Sequence, residues 1–192
     1  TSIKNGIDII RVFDALNDTR NLATSITTAK EAGGHCQTAI SYTTSEVHTV
    51  EYFVQLAKEM AHIGADSICI KDMAGLLTPQ IGFELVSRIK DAVDLPLEVH
   101  THATSGISEM TYLKVAEAGA DIIDTAISSF AGGTSQPATE SVAIALEELG
   151  FDINLDKKKL AEVADYFNPI RDRFREEGIL NPKVKDTEPK TL

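Results

Sequence analysis

The chain carries one phrase twice, as Ile63-Gly64-Ala65-Asp66-Ser67-Ile68 and as Ala118-Gly119-Ala120-Asp121-Ile122-Ile123. In each copy the glycine closes a run with helical spacing, and the apolar residues after it begin a run typical of a buried strand. Glycine fits the left-handed position that ends many helices. We therefore interpret the phrase as the joint between the helix of one βα unit and the strand of the next.

Strands and helices alternate along the sequence around these joints. Strands are predicted at 7–13, 35–42, 66–70, 97–102 and 120–127. Helices are predicted at 18–33, 46–63, 79–93, 106–118 and 136–149, with Thr44 or Ser45 as the N-cap of the second helix. Five consecutive strand–helix units predict an α/β fold with a parallel sheet.

Polar side chains follow every predicted strand, and this distinguishes two architectures. A closed (βα)8 TIM barrel builds its mouth from all of its strand-to-helix loops, whereas an open doubly wound sheet concentrates its polar residues at one switch point. The polar residues are Asp14 and Asn17, Tyr42 and Thr43, Lys71 and Asp72, His100 and His102, and the stretch 128–136. Their spread predicts the barrel.

A complete barrel takes about 250 residues and eight units, so five units indicate part of a barrel. We interpret the chain as a stretch of a longer polypeptide; the alternative is a half-barrel that dimerises through its open edges. Residues 1–150 are predicted to be the barrel part and residues 151–192 a helical extension. Within the extension, residues 155–177 predict a charged amphipathic helix that breaks at Pro169.

The composition excludes some classes of protein. With 192 residues and 43% hydrophobic content the chain can bury a core, and its net charge of −11 argues against nucleic-acid binding. Cys36 and Cys69 lie in apolar runs and are predicted to be free, buried thiols, which fits a reducing cytoplasm. No stretch approaches the roughly 20 apolar residues of a membrane span, and a cytoplasmic location is predicted.

His100 and His102 stand two residues apart at the end of the fourth strand. Side chains alternate along a strand, so both imidazoles face one side and can reach a single metal ion. Lys71 ends the third strand on the face it shares with Cys69. A protonated lysine would repel a cation, but reaction with carbon dioxide gives a carbamylated lysine, an anion with oxygen ligands. Three ligands would leave space for substrate.

Each of these residues also has a purely structural interpretation. The histidines can be a chance pair, Lys71 a salt-bridged or snorkelling residue, and Met73 a core gap-filler. Thr134 to Pro137 can be an N-cap with proline in the first helical turn. The functional interpretation is preferred because all of these residues follow successive strands and converge on one mouth.

Four motifs occur in order along the chain. They are Phe13-Asp14-Ala15-Leu16-Asn17-Asp18, Ile70-Lys71-Asp72-Met73-Ala74-Gly75, His100-Thr101-His102 with Thr104-Ser105-Gly106, and Gly133-Thr134-Ser135-Gln136-Pro137. With them the chain resembles the carboxyltransferase domain of biotin-dependent enzymes, and is most similar to the α subunit of oxaloacetate decarboxylase. The same family includes the carboxyltransferase subunit of pyruvate carboxylase and the transcarboxylase subunit.

The resemblance implies a role for each site residue. Lys71 is implied to be the carbamylated metal ligand, and His100 and His102 the imidazole ligands. The hydroxyl of Thr134 is implied to carry a proton between the ureido nitrogen of biotin and the enol carbon of pyruvate. Met73 and Gln136 are implied to line the substrate pocket.

The resemblance also implies cofactors and partners. Zinc is the expected divalent metal, with manganese and cobalt as alternatives, and biotin arrives on a carrier domain. The substrates are oxaloacetate and pyruvate; the chain is expected to dimerise, and membrane sodium-pump subunits accompany it if it serves a decarboxylase. The family has an aspartate metal ligand and a substrate-binding arginine that would precede residue 1. We therefore expect this chain to supply roughly the last five units of the barrel and to be inactive alone.

Several functions stay open at this stage. The first is transfer of the carboxyl group of oxaloacetate to biotin, as in the decarboxylase, and the second is the reverse reaction in pyruvate carboxylase. A metal-dependent aldolase or lyase of the wider barrel group would share the paired histidines but not the Thr134 motif. A non-catalytic assembly protein is the alternative from a different class.

Overall fold

Five parallel strands form one sheet in a computed structural model that describes residues 1–192, apart from the side chains of residues 182 and 191. The strands are β1 (Ile9–Phe13), β2 (His35–Ser41), β3 (Ser67–Asp72), β4 (Leu97–Thr101) and β5 (Ile122–Ile123). They lie side by side in chain order, each parallel to the next. A doubly wound sheet would reverse its order at a switch point, so the predicted partial TIM barrel is confirmed.

Helices connect successive strands. They are α1 (Ala23–Glu31), α2 (Val50–His62), α3 (Pro79–Ala92), α4 (Ser108–Glu117) and α5 (Thr139–Glu148), followed by the extension helix α6 (Lys157–Glu176). Short 3-10 turns occupy Ile3–Asn5, Thr19–Asn21, Pro182–Lys185 and Pro189–Thr191. No helix in the described residues has both the length and the apolar character that a bilayer span requires.

The main hydrophobic core lies between the sheet and its helices. Ile68 and Ile70 of β3 are fully buried there with Phe53 of α2 and Leu85 of α3. Cys69, which lies between them on β3, faces the other side of the sheet, where its thiol contacts Glu98. The predicted alternation along β3 is therefore confirmed, and it leaves the inner face free to carry polar residues.

The repeated phrase joins a helix to the next strand as predicted, and its aspartate makes the same type of contacts in both copies. The carboxylate of Asp66 accepts hydrogen bonds from the backbone N–H of Cys36 at 2.9 Å and from Lys30 Nζ at 2.7 Å. Asp121 repeats the pattern with the N–H of Leu97 and Lys90 Nζ, both at 2.7 Å. Each aspartate thus ties its own joint to the start of the preceding strand.

Three predicted helix starts are wrong. Helix α1 begins at Ala23 and not at 18, because Asp18 caps a 3-10 turn at Thr19–Asn21 that precedes the helix. The N-cap of α2 is Thr49, whose Oγ1 accepts from the N–H of Tyr52, and not Thr44 or Ser45. Residue 45 instead turns the chain before the helix, because its hydroxyl pairs with His48 Nδ1 at 2.7 Å. Helix α5 begins at residue 139 and not at 136, so the interpretation of 134–137 as its N-cap and first turn is also wrong.

Two further boundaries differ from the prediction. The fifth strand covers two residues and not 120–127, because beyond Ile123 the chain turns to pair Ala126 with Ala138. Helix α6 runs through Pro169 without ending. Contacts on the N-terminal side of the proline hold this helix: Ser129 Oγ donates to the carbonyl of Ala164 at 2.9 Å, and Phe130 packs on Phe167.

Candidate metal centre

The two imidazoles predicted as metal ligands lie side by side at the carboxyl end of β4. The ring centroids of His100 and His102 are 5.2 Å apart. Nδ1 of His100 lies 2.8 Å from Oδ2 of Asp124, and Nδ1 of His102 lies 2.7 Å from the carbonyl oxygen of Thr134. Each ring is therefore fixed through Nδ1, which leaves Nε2 available to bind a metal, the arrangement usual for metal-binding histidines.

The geometry and charge of this pair fit one divalent ion. Two nitrogens each about 2.0–2.1 Å from a tetrahedral ion place their ring centres roughly 5 Å apart, as in the pair here. Burial lowers the pKa of His102, and the neighbouring charges of His100 and Lys71 lower it further. A neutral imidazole is the form that binds a metal.

Lys71 lies next to the imidazoles in the sheet. Its Cα is the register partner of His100 across β3 and β4, so the two side chains leave neighbouring strands on the same face. Its Nζ is 5.4 Å from the ring centroid of Phe13. The amine thus projects toward the inner face and not outward among the helices, while its carbamylation stays a prediction.

Two imidazoles do not complete a metal site by themselves. Among the described side chains, no three His, Cys, Asp or Glu residues converge as a ligand set. A catalytic site for zinc uses three protein ligands and one open position. A third ligand for such a metal would therefore have to be a residue of another type, as predicted for Lys71, or come from outside this stretch.

Asp72, which follows Lys71, holds the loop after β3 in place. Its buried carboxylate accepts from the N–H groups of Leu76 and Leu77, at 3.0 and 2.8 Å, and from Thr101 Oγ1 at 2.8 Å. These bonds fasten the loop to β4 beside the imidazoles. Met73 in this loop has 45% of its surface exposed, so it is not a core gap-filler, and its role in the substrate pocket stays a prediction.

The loop after β5 brings two more predicted residues to the site. Nε2 of Gln136 lies 3.4 Å from Nε2 of His100. Thr134 contributes its carbonyl to His102, while its Oγ1 lies 3.4 Å from the carbonyl oxygen of Val184. The imidazole of His102 therefore contacts the backbone of Thr134 and not its side chain. The proton-carrying role of the Thr134 hydroxyl stays a prediction.

A layer of buried and half-buried polar residues lies behind the imidazoles, and the sequence pattern did not predict it. Arg11 of β1 forms ion pairs with Glu98 and with Asp124, and its Nε donates to Gln37 Oε1 at 2.5 Å. Gln37 Nε2 donates to Glu98 Oε2 at 2.9 Å. The available signal was a charged residue inside each of two apolar strands, at positions 11 and 98.

The two carboxylates of this layer differ in their pKa. Burial raises the pKa of Glu98, and a hydrogen bond with Asp124 raises it further. Burial acts in the same direction on Asp124, but hydrogen bonds from His100, Glu98 and Arg11 outweigh it and lower its pKa. Asp124 thus has the lower pKa of the two, and it is the one that accepts from His100. Burial also raises the pKa of the free thiol of Cys69.

Known proteins resemble this chain in both sequence and fold. The HMGL-like family matches residues 1–167. The chain is 58% identical over 172 residues to a pyruvate carboxylase subunit of Methanocaldococcus jannaschii, covering 90% of this chain and 30% of that protein. It is 45% identical over 193 residues to the methylmalonyl-CoA carboxyltransferase 5S subunit of Propionibacterium freudenreichii, covering 100% of this chain and 36% of that protein.

A solved structure matches the fold closely. The carboxyl transferase domain of Rhizobium etli pyruvate carboxylase, determined with pyruvate and biocytin, superposes with a TM-score of 0.88 at 36% identity. The match covers 90% of this chain and 30% of that one. The chain therefore spans about a third of the length of these relatives. The resemblance to the carboxyltransferase domain of biotin-dependent enzymes is confirmed.

Proposed function

This chain belongs to the HMGL-like family, and from that premise we propose that it supplies part of the active site of a biotin-dependent carboxyltransferase. Within its full-length protein, the site exchanges a carboxyl group between oxaloacetate and biotin. The observation that carries the proposal is the pair of imidazoles held through Nδ1, beside Lys71 in the register of the sheet. The similarity to the archaeal pyruvate carboxylase protein and to the 5S protein supports it.

We assign the metal to Lys71, in its carbamylated form, with His100 and His102. Nitrogen and oxygen donors accept zinc, manganese or cobalt. When bound, the ion would act as a Lewis acid toward the keto oxygen of oxaloacetate. Carbamylation would convert the cationic amine of Lys71 into an anionic ligand, which removes its repulsion toward the ion and toward the protonated form of His102.

The remaining residues orient the site. Asp124 accepts the Nδ1 proton of His100 and thereby fixes its tautomer. Gln136 presents its side-chain amide beside Nε2 of His100, on the side from which we propose that substrate approaches. The hydroxyl of Thr134 is proposed to carry the proton between the ureido nitrogen of biotin and the enol carbon of pyruvate, while its carbonyl holds His102.

The net direction depends on the companion subunits, because both directions use one half-reaction. The 58% identity to a pyruvate carboxylase protein favours carboxylation of pyruvate by a biotin carrier domain. The resemblance of the sequence to the α subunit of oxaloacetate decarboxylase makes oxaloacetate decarboxylation the second candidate. A sodium-pump partner in the membrane belongs only to this second candidate.

The test uses the full-length protein that contains this chain. We expect His102→Gln to abolish carboxyl exchange between labelled oxaloacetate and free biotin and to reduce bound metal below one ion per protomer. His35→Gln is the matched control, because His35 lies at the amino end of β2, paired with Ser67 at 2.7 Å, away from the mouth. Full exchange and full metal content in His102→Gln, with a folded protein, would contradict the proposal.

Carbamylation of Lys71 has its own test. We expect native mass spectrometry of the full-length protein to detect one added carbon dioxide, and Lys71→Gln to lose both the added mass and the metal. A bound metal in a protein whose Lys71 is unmodified would favour an aldolase or lyase of the wider barrel group, since that chemistry needs no carbamylated lysine.

A further inference from the structure

The segment that follows α6 crosses back over the site. We call residues 183–188 the strap. The carbonyl oxygen of Val184 accepts from the N–H of Thr134 at 2.9 Å, and Lys185 Nζ donates to the carbonyl of Ser128 at 2.9 Å. At the far end of the strap, the N–H of Glu188 donates to the carbonyl of Thr104 at 2.7 Å. The strap therefore contacts both loops that carry the site, the one after β4 and the one after β5.

These two loops are also joined directly to each other. Besides the bond from His102 to the carbonyl of Thr134, the N–H of Ala103 donates to the carbonyl of Ser135 at 2.7 Å. A chain of contacts thus runs from Val184 to the N–H of Thr134, and from the carbonyl of Thr134 to the imidazole of His102. A shift of the strap would change the position of the acceptor that orients this ring.

Close approach of the strap requires a glycine at position 133. A Cβ at Gly133 would collide with the carbonyl oxygen of Val184 and would lie 2.6 Å from Cα of Lys185. The preceding residue, Gly132, also has a positive φ, which is 87° at Gly132 and 57° at Gly133. A Cβ at Gly132, however, would meet no atom within 4 Å. The two glycines carry the same kind of backbone strain, and only Gly133 touches the strap.

We propose that the strap positions Thr134 and, through it, the metal-binding imidazole of His102. Gly133, Val184 and Lys185 are then positioning residues, and the segment after the barrel takes part in metal binding without supplying a ligand. This inference rests on the proposed function, because it assigns His102 to the metal. Outer partners of metal-ligating histidines contribute about 10–100-fold in metal affinity, so displacing the Thr134 carbonyl should have an effect of that size.

The experiment compares Gly133→Ala with Gly132→Ala in the full-length protein, with Co²⁺ as the probe. We expect Gly133→Ala to weaken Co²⁺ binding by about tenfold or more and to change the visible absorption of the bound ion. Gly132→Ala should bind Co²⁺ within about twofold of the parent. In the metal-free protein, hydrogen exchange at the amide of residue 134 should accelerate in Gly133→Ala only, because that N–H loses the Val184 carbonyl.

A second pair of variants guards against misfolding of Gly133→Ala. Lys185→Ala removes the ammonium that reaches Ser128, while Lys183→Ala removes an exposed lysine of the same strap. We expect Lys185→Ala to weaken Co²⁺ binding about threefold relative to Lys183→Ala, a smaller effect than loss of the outer partner itself. Equal affinities and equal spectra within both pairs would overturn the inference. A parent protein that binds no Co²⁺ would instead contradict the proposed function.

Discussion

Replacing Asp124 by asparagine tests the carboxylate that orients His100. The carboxylate Oδ2 lies 2.8 Å from Nδ1 of His100 and 3.1 Å from Nη1 of Arg11. Asparagine keeps an acceptor oxygen of similar shape but removes the charge. Arg11 retains its ion pair with Glu98, so the substitution does not leave a buried cation alone.

The expected magnitude follows from the strength of that one bond. A hydrogen bond to a charged group contributes about 1.5–3 kcal/mol, against about 0.5–1.5 kcal/mol for a neutral one. The difference is about 1–2 kcal/mol. Since a factor of ten in affinity corresponds to about 1.4 kcal/mol, Asp124→Asn should weaken metal binding by about 5–30-fold, which overlaps the range of about 10–100-fold usual for outer partners of histidine ligands.

The assay is competition between the full-length protein and a chelator for Zn²⁺ or Co²⁺, with chemical unfolding of each variant measured in parallel. Asp121→Asn is the control, because Asp121 pairs with Lys90 on the outer side of the sheet at 2.7 Å. We expect Asp121→Asn to lose stability and retain its metal affinity. Metal affinity of Asp124→Asn within about twofold of the parent, or an equal loss in Asp121→Asn, would refute the reasoning.

Three further predictions concern the joint aspartates, Thr134 and Tyr112. Hydrogen bonds lower the pKa of Asp66, and in Asp121 they outweigh burial and also lower the pKa. Each carboxylate therefore contributes stability that is present above its unfolded pKa of about 3.9 and is lost as the pH falls through its folded pKa. Substitution of either by asparagine should cost about 1 kcal/mol of unfolding free energy at pH 7, and the gap from the parent should close in acid-titrated urea melts; a gap independent of pH would contradict this. Thr134→Ala retains the carbonyl that holds His102 and should keep its metal, whereas the proton-carrying role predicts loss of carboxyl exchange; unchanged exchange would restrict Thr134 to its backbone contact. Tyr112 is fully buried, and its hydroxyl donates to the carbonyl of Asp124 at 2.5 Å; Tyr112→Phe should cost about 1–3 kcal/mol in denaturant unfolding, and a cost near zero would show that this carbonyl finds another donor.

The fold was predictable because its signals are local and repeated. A glycine stop, an apolar strand and a polar strand end recur in each unit, so the order of elements and the inward face of β3 could be read from spacing. The boundaries that failed depend on individual hydrogen bonds and pairings that residue spacing does not reveal. The chain leaves the sheet after Ile123, where Ala126 pairs with Ala138. Thr49 caps α2, while Ser45 pairs with His48.

The site was predictable in part for the same reason. His100, His102 and Lys71 end neighbouring strands, and strand alternation brings their side chains to one face. Asp124 and the strap could not be found in this way, because their partners are distant in sequence: Asp124 lies 24 residues from His100 and Val184 lies 50 residues from Thr134. Only the folded chain shows which acceptor each imidazole uses.

The central claim is that Lys71, His100 and His102 bind one divalent ion. X-ray diffraction from crystals of the full-length protein, recorded on both sides of the zinc absorption edge, tests it most directly. We predict a single anomalous peak in contact with Nε2 of both imidazoles and with an oxygen of a carbamylated Lys71. Crystals grown with zinc and bicarbonate that show an unmodified Lys71 and no peak between the imidazoles would contradict the account.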